Sequence, residues 1–255
     1  MMSTCRPSCA TDPLSDTGRV SVRIRRVTTT RAGGVSSPPF DTFNLGDHVG
    51  DDPAAVAANR KRLSAALGLG QDAVVWMNQV HGDHVAVVDR PSEAAPVDKT
   101  DALVTTTPRL ALAVVSADCV PVLMGDARAG VVAAVHAGRV GAQNGVVART
   151  VEAMLRLGAQ AGDISALLGP AVSGRNYEVP EEMAAAVEAS LPGSRTTTSL
   201  GTPGLDLRAG IARQLTALGV TAIDIDPRCT VDDRKLFSHR RDAPTGRLAS
   251  LVWME

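Results

Sequence analysis

The sequence predicts an α/β (α+β) fold, a single compact domain in which a mixed central sheet of buried strands is flanked by helices. Three observations lead there. Short apolar runs of strand length recur between Ala73 and Val135, helix-length segments interleave with strands along the chain, and no stretch is rich enough in Gly, Ser or Pro to divide it. Two of the runs, LALAVV from Leu110 and VVAAV from Val131, are continuously apolar instead of alternating, the pattern of strands covered on both faces.

Taken in order, residues 1–19 lack apolar periodicity and are expected to form a flexible tail, leaving 20–255 as one catalytic domain. Val20 to Thr29 alternates and is β-branched, so it is expected as a strand, with loops at Gly33-Gly34 and Pro38-Pro39. Asp51-Asp52-Pro53 starts a helix that should run to about Leu67 and close at Gly68. Strands are expected at Ala73–Met77, His84–Val88, Leu110–Val115, Val120–Met124 and Gly130–Val135, then a helix at Gly141–Leu157 and a strand at Ile164–Leu168. Helices at Pro180–Ser190 and Asp206–Leu218 and a last strand at Leu248–Trp253 complete the chain.

Composition narrows the function. The 255 residues carry 26 Lys and Arg against 27 Asp and Glu, so the formal charge of −1 gives no electrostatic reason to expect a nucleic acid or an anionic membrane as partner. No apolar run reaches the roughly 18 residues of a membrane span, and the first residues lack the apolar core of a signal peptide. Four scattered cysteines do not suit a disulfide scaffold of this length, so a cytoplasmic protein with reduced thiols is expected. Cys5 and Cys9 then read as two tail thiols. Three Phe, two Trp and one Tyr leave Ala, Val and Leu to build the core.

Reactive residues stand where the apolar runs stop. NQV ends at His81-Gly82, LALAVV runs through Ser116-Ala117-Asp118 to Cys119, and VVAAV meets His136, followed by Ala137-Gly138-Arg139-Val140-Gly141. Ends of central strands in α/β sheets gather ligand sites, because a rigid scaffold presents reachable loops there. Two imidazoles and one thiolate suit zinc, and three protein ligands leave the fourth tetrahedral position for water or substrate. The sequence spacing of the three matches no local zinc-finger pattern. The same residues without metal form a Cys119 nucleophile with His136 or His81 as base. HAGRVG, leading into a helix, also suits an anion such as phosphate.

Several segments together resemble the YfiH family, also called the laccase-domain or polyphenol-oxidase-like family. They are GGVS, NLGDHVGDD, Asn59-Arg60, NQVHG, TDALVT, SADCVPVLM, VHAG, LGPAVSGRNYEV, Asp206-Leu207, Cys229-Thr230 and FSHRR, in one order from about Arg26 to Glu255. The resemblance implies a zinc-dependent purine nucleoside phosphorylase acting on adenosine, inosine and guanosine, with methylthioadenosine as a further candidate and adenosine deamination as a side activity. Its partners are then purine nucleosides and phosphate, and its cofactor Zn²⁺ in preference to copper. The implied metal ligands are His81, Cys119 and His136, which also carry the catalysis, with Asp118 as a candidate for orienting a ligand or relaying a proton.

Asn44, Arg60 and Gln79 lie in matching motifs as substrate-binding candidates. Arg139 joins them because the family usually reads HAGWRG where this chain reads HAGRVG. With that Trp replaced, purine recognition is expected to use hydrogen bonds and aliphatic walls more than ring stacking. His48, His84 and His239 are not expected as ligands, and Cys229 has no assigned role. A multicopper laccase is disfavoured, since a chain with five histidines has too few imidazoles for such a set of centres. Two alternatives stay open: a cysteine hydrolase of amide or peptide bonds in cell-wall precursor editing, and a non-catalytic nucleoside-binding relative.

Overall fold

A computed structural model of the chain describes residues 22–90 and 95–255; the 1–19 tail, with Cys5 and Cys9, lies outside the described residues. Helix α1 (Pro53–Leu67) follows strand β1 (Ile24–Thr28), and strands β2 (Val74–Val75), β3 (Val85–Val87), β4 (Ala102–Thr105), β5 (Ala111–Ser116), β6 (Val120–Asp126) and β7 (Val131–Ala137) come next. Helices α2 (Arg139–Gln143) and α3 (Val146–Arg156) lead to β8 (Ile164–Leu168), α4 (Glu181–Ser190), β9 (Arg195–Thr197) and β10 (Pro203–Leu205). The chain ends with α5 (Leu207–Ala217), β11 (Ala222–Ile225), α6 (His239–Asp242) and β12 (Leu248–Met254).

The strands form a four-stranded sheet, β1-β12-β5-β2, a six-stranded sheet, β11-β8-β6-β7-β4-β3, and a two-stranded ribbon, β10-β9. The first two stack face to face, and the side-chain alternation of each strand divides its residues between layers. In β5, Leu112 and Val114 enter the layer between the sheets, whereas Ala111, Ala113 and Val115 pack outward with Leu45, Leu63 and Trp253. Likewise in β7, Val132 and Ala134 face the first sheet, while Val131, Ala133 and Val135 join Val147, Val151 and Ile211 of α3 and α5. Both continuously apolar runs are thus covered twice, once by a sheet and once by a helix layer.

Local sequence accounts for the helix ends. The Asp52 carboxylate accepts the Ala54 N–H at 2.9 Å, Pro53 fills the first turn, and Gly68 closes α1 in the left-handed conformation at φ 68°. Asp206 caps α5 by accepting the Ala209 N–H. The helix expected over 141–157 is instead two helices, because Gly145 sits at φ 86° and breaks the ladder after Asn144. β7 runs past its expected end, so His136 lies inside the strand, fully paired. Short elements went unpredicted: β4, four residues long and inside TDALVT, and β9, β10, β11 and α6, whose polar or exposed residues carry little periodicity. Within the described residues, the strands expected at Val20–Thr29 and Ala73–Met77 correspond to the shorter β1 and β2, although Met77 still bridges Val97.

Candidate metal centre

One end of the stacked sheets assembles the site from three loops. After β2, the Gln79 amide donates to the Val115 carbonyl at 2.8 Å and accepts the Val115 N–H at 2.8 Å, which docks the 78–82 turn beside β5. His81 adopts φ 59° in this turn. Three successive N–H groups converge on the buried carboxylate of Asp101: Val80 at 3.2 Å, His81 at 3.0 Å and Gly82 at 2.7 Å. Asp101 directly precedes β4, and its Oδ1 lies 2.8 Å from His136 Nδ1 on β7. Burial pushes the Asp101 carboxyl up, but His136 and the turn amides more than reverse this and hold it below the usual carboxylate range. An ionised carboxylate can only accept, so the proton lies on Nδ1 and the Nε2 of His136 is left as a donor atom.

Cys119 arrives by the turn between β5 and β6. Asp118 there has φ 96°, a conformation costing an ordinary residue about 1–2 kcal/mol, and its contacts hold it. Its carboxylate accepts the Thr230 hydroxyl at 2.5 Å and the Arg240 N–H at 2.7 Å, while its carbonyl accepts the Val172 N–H at 3.0 Å. The β6–β7 register, with Val120 opposite Ala137 and Pro121 opposite His136, then sets Cys119 against Gly138. A Cβ at Gly138 would lie 2.8 Å from His81, 3.2 Å from Cys119 Sγ and 3.6 Å from His136, so only glycine lets the backbone pass beside all three.

The three side chains converge. Cys119 Sγ lies 3.8 Å from His81 Nε2, the two imidazole centroids are 4.7 Å apart with planes at 79°, and the ligand atoms all fall within 4.8 Å of one another. Metal bonds of about 2.0–2.3 Å in a tetrahedron separate donors by about 3.5 Å, so a small contraction suits the trio to an ion. The donor set fits a borderline-soft cation. His136 is buried, Cys119 half-buried and His81 exposed, so the group opens on one side. Burial pushes the Cys119 thiol up, but the adjacent His136 and His81 outweigh this and bring it down to about 6. Burial disfavours the His136 imidazolium, yet Cys119 and Asp101 raise it to about 9. A cation bound here would take the place of the proton.

The trio lies in a cavity of about 480 Å³. Val115, Val172 and Leu207 supply aliphatic wall; Arg139, Arg240 and Arg247 supply positive charge; Tyr177 is the single phenol, indole or phenyl ring among the lining residues. Arg240 lies over that ring, 4.8 Å from its centroid. Both tryptophans are elsewhere, Trp76 under Arg60 and Trp253 in the core.

Of the residues singled out from sequence, the fold brings His81, Cys119, His136, Asp118, Gln79 and Arg139 to the cavity. Gln79 and Asp118 line it with their polar atoms already engaged by backbone or hydroxyl partners. Asn44 and Arg60 stay outside the lining. Asn44 is fully buried and braces a loop: it donates to the Gly46 carbonyl and Asp51 and accepts the N–H of Gly46 and Arg247. Arg60 stacks 4.1 Å over Trp76, donates twice to the Leu45 carbonyl and pairs with Asp47. His48 and His239, not expected as ligands, are outside the trio but on the cavity wall. Sequence reasoning missed Asp101, Tyr177, Arg240 and Arg247. Each lies in or beside a segment already noticed, yet none carries a spacing signal.

Residues 25–255 match the family model described as multi-copper polyphenol oxidoreductase laccase. The chain belongs to this family. Over 240 residues it is 78% identical to a Mycobacterium tuberculosis protein named purine nucleoside phosphorylase, covering 94% of this chain and 96% of the relative. A Corynebacterium glutamicum protein of the same name is 60% identical over 232 residues, covering 91% and 94% of the two chains. Among solved structures, YfiH from Bacillus licheniformis superposes with a TM-score of 0.86 at 31% identity, covering 93% of this chain and 98% of that one. YlmD from Geobacillus stearothermophilus gives 0.84 at 33% identity, with 90% and 92% covered. Among the described residues, no helix is long and apolar enough to cross a membrane.

Proposed function

We propose that this protein is a zinc-dependent purine nucleoside phosphorylase of the cytoplasm, splitting adenosine, inosine or guanosine with phosphate, and deaminating adenosine as a side activity. The observation that carries this reading is the His81, Cys119, His136 group on the wall of a cavity that offers aliphatic surface and three arginines together. The names of the relatives point to the same chemistry.

His81, Cys119 and His136 are the residues that would hold the ion. Bound there, zinc supplies Lewis-acid polarisation of a water or phosphate oxygen near neutral pH. Zinc suits two imidazoles and a thiolate, and neither reaction is a redox step; a multi-copper site would draw on more imidazoles than the two converging here. In phosphorolysis a phosphate oxygen bonds to C1′ while the glycosidic bond breaks, and the base leaves with the electron pair and takes up a proton. The chain's own part is to hold the reactants in line and to offset charge. Asp101 keeps the Nδ1 proton on His136, Asp118 fixes the Cys119 turn, and the arginines face the anion. Val115, Val172 and Leu207 offer the nucleoside an apolar surface. Tyr177 gives at most one ring for the base, so discrimination between purines rests on hydrogen bonds.

Zinc-loaded protein incubated with adenosine and phosphate is expected to release adenine and ribose 1-phosphate, with inosine as the minor product. Chromatography of the products tests this. Absence of nucleoside turnover in zinc-replete protein, with or without phosphate, overturns the reading.

A further inference from the structure

Several arginines elsewhere in the fold are matched with acids. Arg31 pairs with Asp41 and Asp242, Arg60 with Asp47, Arg228 with Asp226 and Arg241 with Asp242. In the cavity three gather together, and among the described residues Arg139, Arg240 and Arg247 make no ion pair with Asp or Glu within 4.0 Å. The one carboxylate in the cavity lining, Asp118, already accepts from Thr230 and from a backbone N–H. Three guanidinium groups gathered with a single, already engaged carboxylate in a concave, partly apolar site favour an anionic ligand.

Two of these guanidinium groups lie near one side chain. Arg240 lies 4.8 Å over the face of Tyr177, whose phenol is pushed up by burial and by Cys119, opposed by the nearby Arg139 and Arg240. Arg139 is further fixed from α2, where its Nη1 donates to Gln143 Oε1 at 3.0 Å. Arg247 is steadied from the other direction by donating Nη1 to the carbonyls of Thr245 and Gly246. Planar donors fixed in this way suit a tetrahedral oxyanion, which accepts several charge-assisted hydrogen bonds at once.

We propose that Arg139, fixed by Gln143, and Arg240, held over Tyr177, form the subsite for inorganic phosphate on the cavity wall, with Tyr177 as a positioning residue. The proposal rests on the phosphorylase reading for its place in the reaction, but the binding of the anion does not. In this chain Arg139 therefore serves the second substrate, and the nucleoside is recognised by other parts of the wall.

The test measures KM for phosphate and for adenosine separately in the zinc-loaded wild type, Arg139→Met, Arg240→Met, Arg240→Lys and Tyr177→Leu, with zinc content determined for each. Removing one charge-assisted contact is expected to raise KM for phosphate by about 10- to 100-fold while KM for adenosine stays within about threefold. Arg240→Lys recovers part of the loss, and Tyr177→Leu raises KM for phosphate more than it lowers kcat. In parallel, thermal melts compare inorganic phosphate with chloride at equal ionic strength. Phosphate stabilises the wild type and does not stabilise Arg139→Met or Arg240→Met. That result without phosphorolysis upholds the anion site and removes the phosphorylase reading. Phosphorolysis with an unchanged phosphate KM in both arginine variants overturns the subsite and leaves the reading intact. Stabilisation by adenosine 5′-monophosphate but not by inorganic phosphate also overturns it, since the anion recognised is then part of a nucleotide.

Discussion

Asp101 and His136 are joined twice, by the Nδ1 proton of the imidazole to Oδ1 at 2.8 Å and by the His136 N–H to the Asp101 carbonyl at 2.8 Å. The same carboxylate gathers the N–H groups of Val80, His81 and Gly82. A single buried side chain therefore fixes the tautomer of one imidazole of the trio and the backbone of the other.

Asp101→Asn turns one accepting oxygen into a donor that faces N–H groups. Zinc affinity is expected to fall about 10- to 100-fold, as for loss of a ligand's hydrogen-bond partner, and stability by about 1–3 kcal/mol. Competition against a chromophoric chelator measures the first and urea melts the second. Wild-type zinc affinity in this variant would remove Asp101 from its orienting role.

Gly138→Ala introduces a methyl group 2.8 Å from His81 and 3.2 Å from Cys119 Sγ. The far-ultraviolet dichroism should stay native while zinc stoichiometry drops below that of the wild type after the same dialysis. A variant that retains full metal content shows that the trio has room to spread.

Metal removal exposes the chemistry of the thiol. In the apoprotein Cys119 titrates near 6, below an ordinary thiol, because its imidazole neighbours outweigh burial. At pH 7 it is therefore mostly thiolate, and iodoacetamide should alkylate it quickly, the rate falling as pH drops through about 6 and the sulfur is protonated. Zinc should suppress the reaction. Mass spectrometry of the modified peptide, with Cys119→Ala as control, gives the readout; equal rates with and without zinc would deny the thiolate a place among the ligands.

Arg60→Ala separates a structural from a substrate-binding role. The side chain stacks on Trp76 and ties the Leu45 carbonyl outside the cavity lining, so the expected loss is about 1–2 kcal/mol of stability, with kcat/KM for adenosine within about twofold of wild type. A loss of more than tenfold in kcat/KM from a stably folded variant returns Arg60 to the site.

The helix caps at Asp52, Gly68 and Asp206 and the doubly covered strands were legible in the sequence, because each follows from local stereochemistry or from apolar runs with no polar face. Metal-ligand candidates were legible because reactive residues interrupt such runs. Asp101 was not: a lone acid before a four-residue strand carries no period, and its partners at 80–82 and 136 meet only through the pairing of β4 with β7. Tyr177, Arg240 and Arg247 stayed hidden for a related reason. They come from the loop after β8, from α6 and from the segment before β12, which share the cavity wall only in the assembled fold. Asn44 and Arg60 lie outside the cavity lining, and in sequence a motif residue that braces a loop looks like one that grips a substrate.

Cys119 stands on the stretch of chain that leaves the four-stranded sheet at Ser116 and enters the six-stranded sheet at Val120, while His136 belongs to the six-stranded sheet alone. The turn that carries the sulfur is therefore strung between the two sheets and registers their spacing at one end of the common layer. Leu112 and Val114 on one side and Leu123 and Val132 on the other keep that spacing. Changing the bulk of these buried aliphatic side chains, remote in chemistry from the sulfur, offers a way to move it relative to the imidazoles.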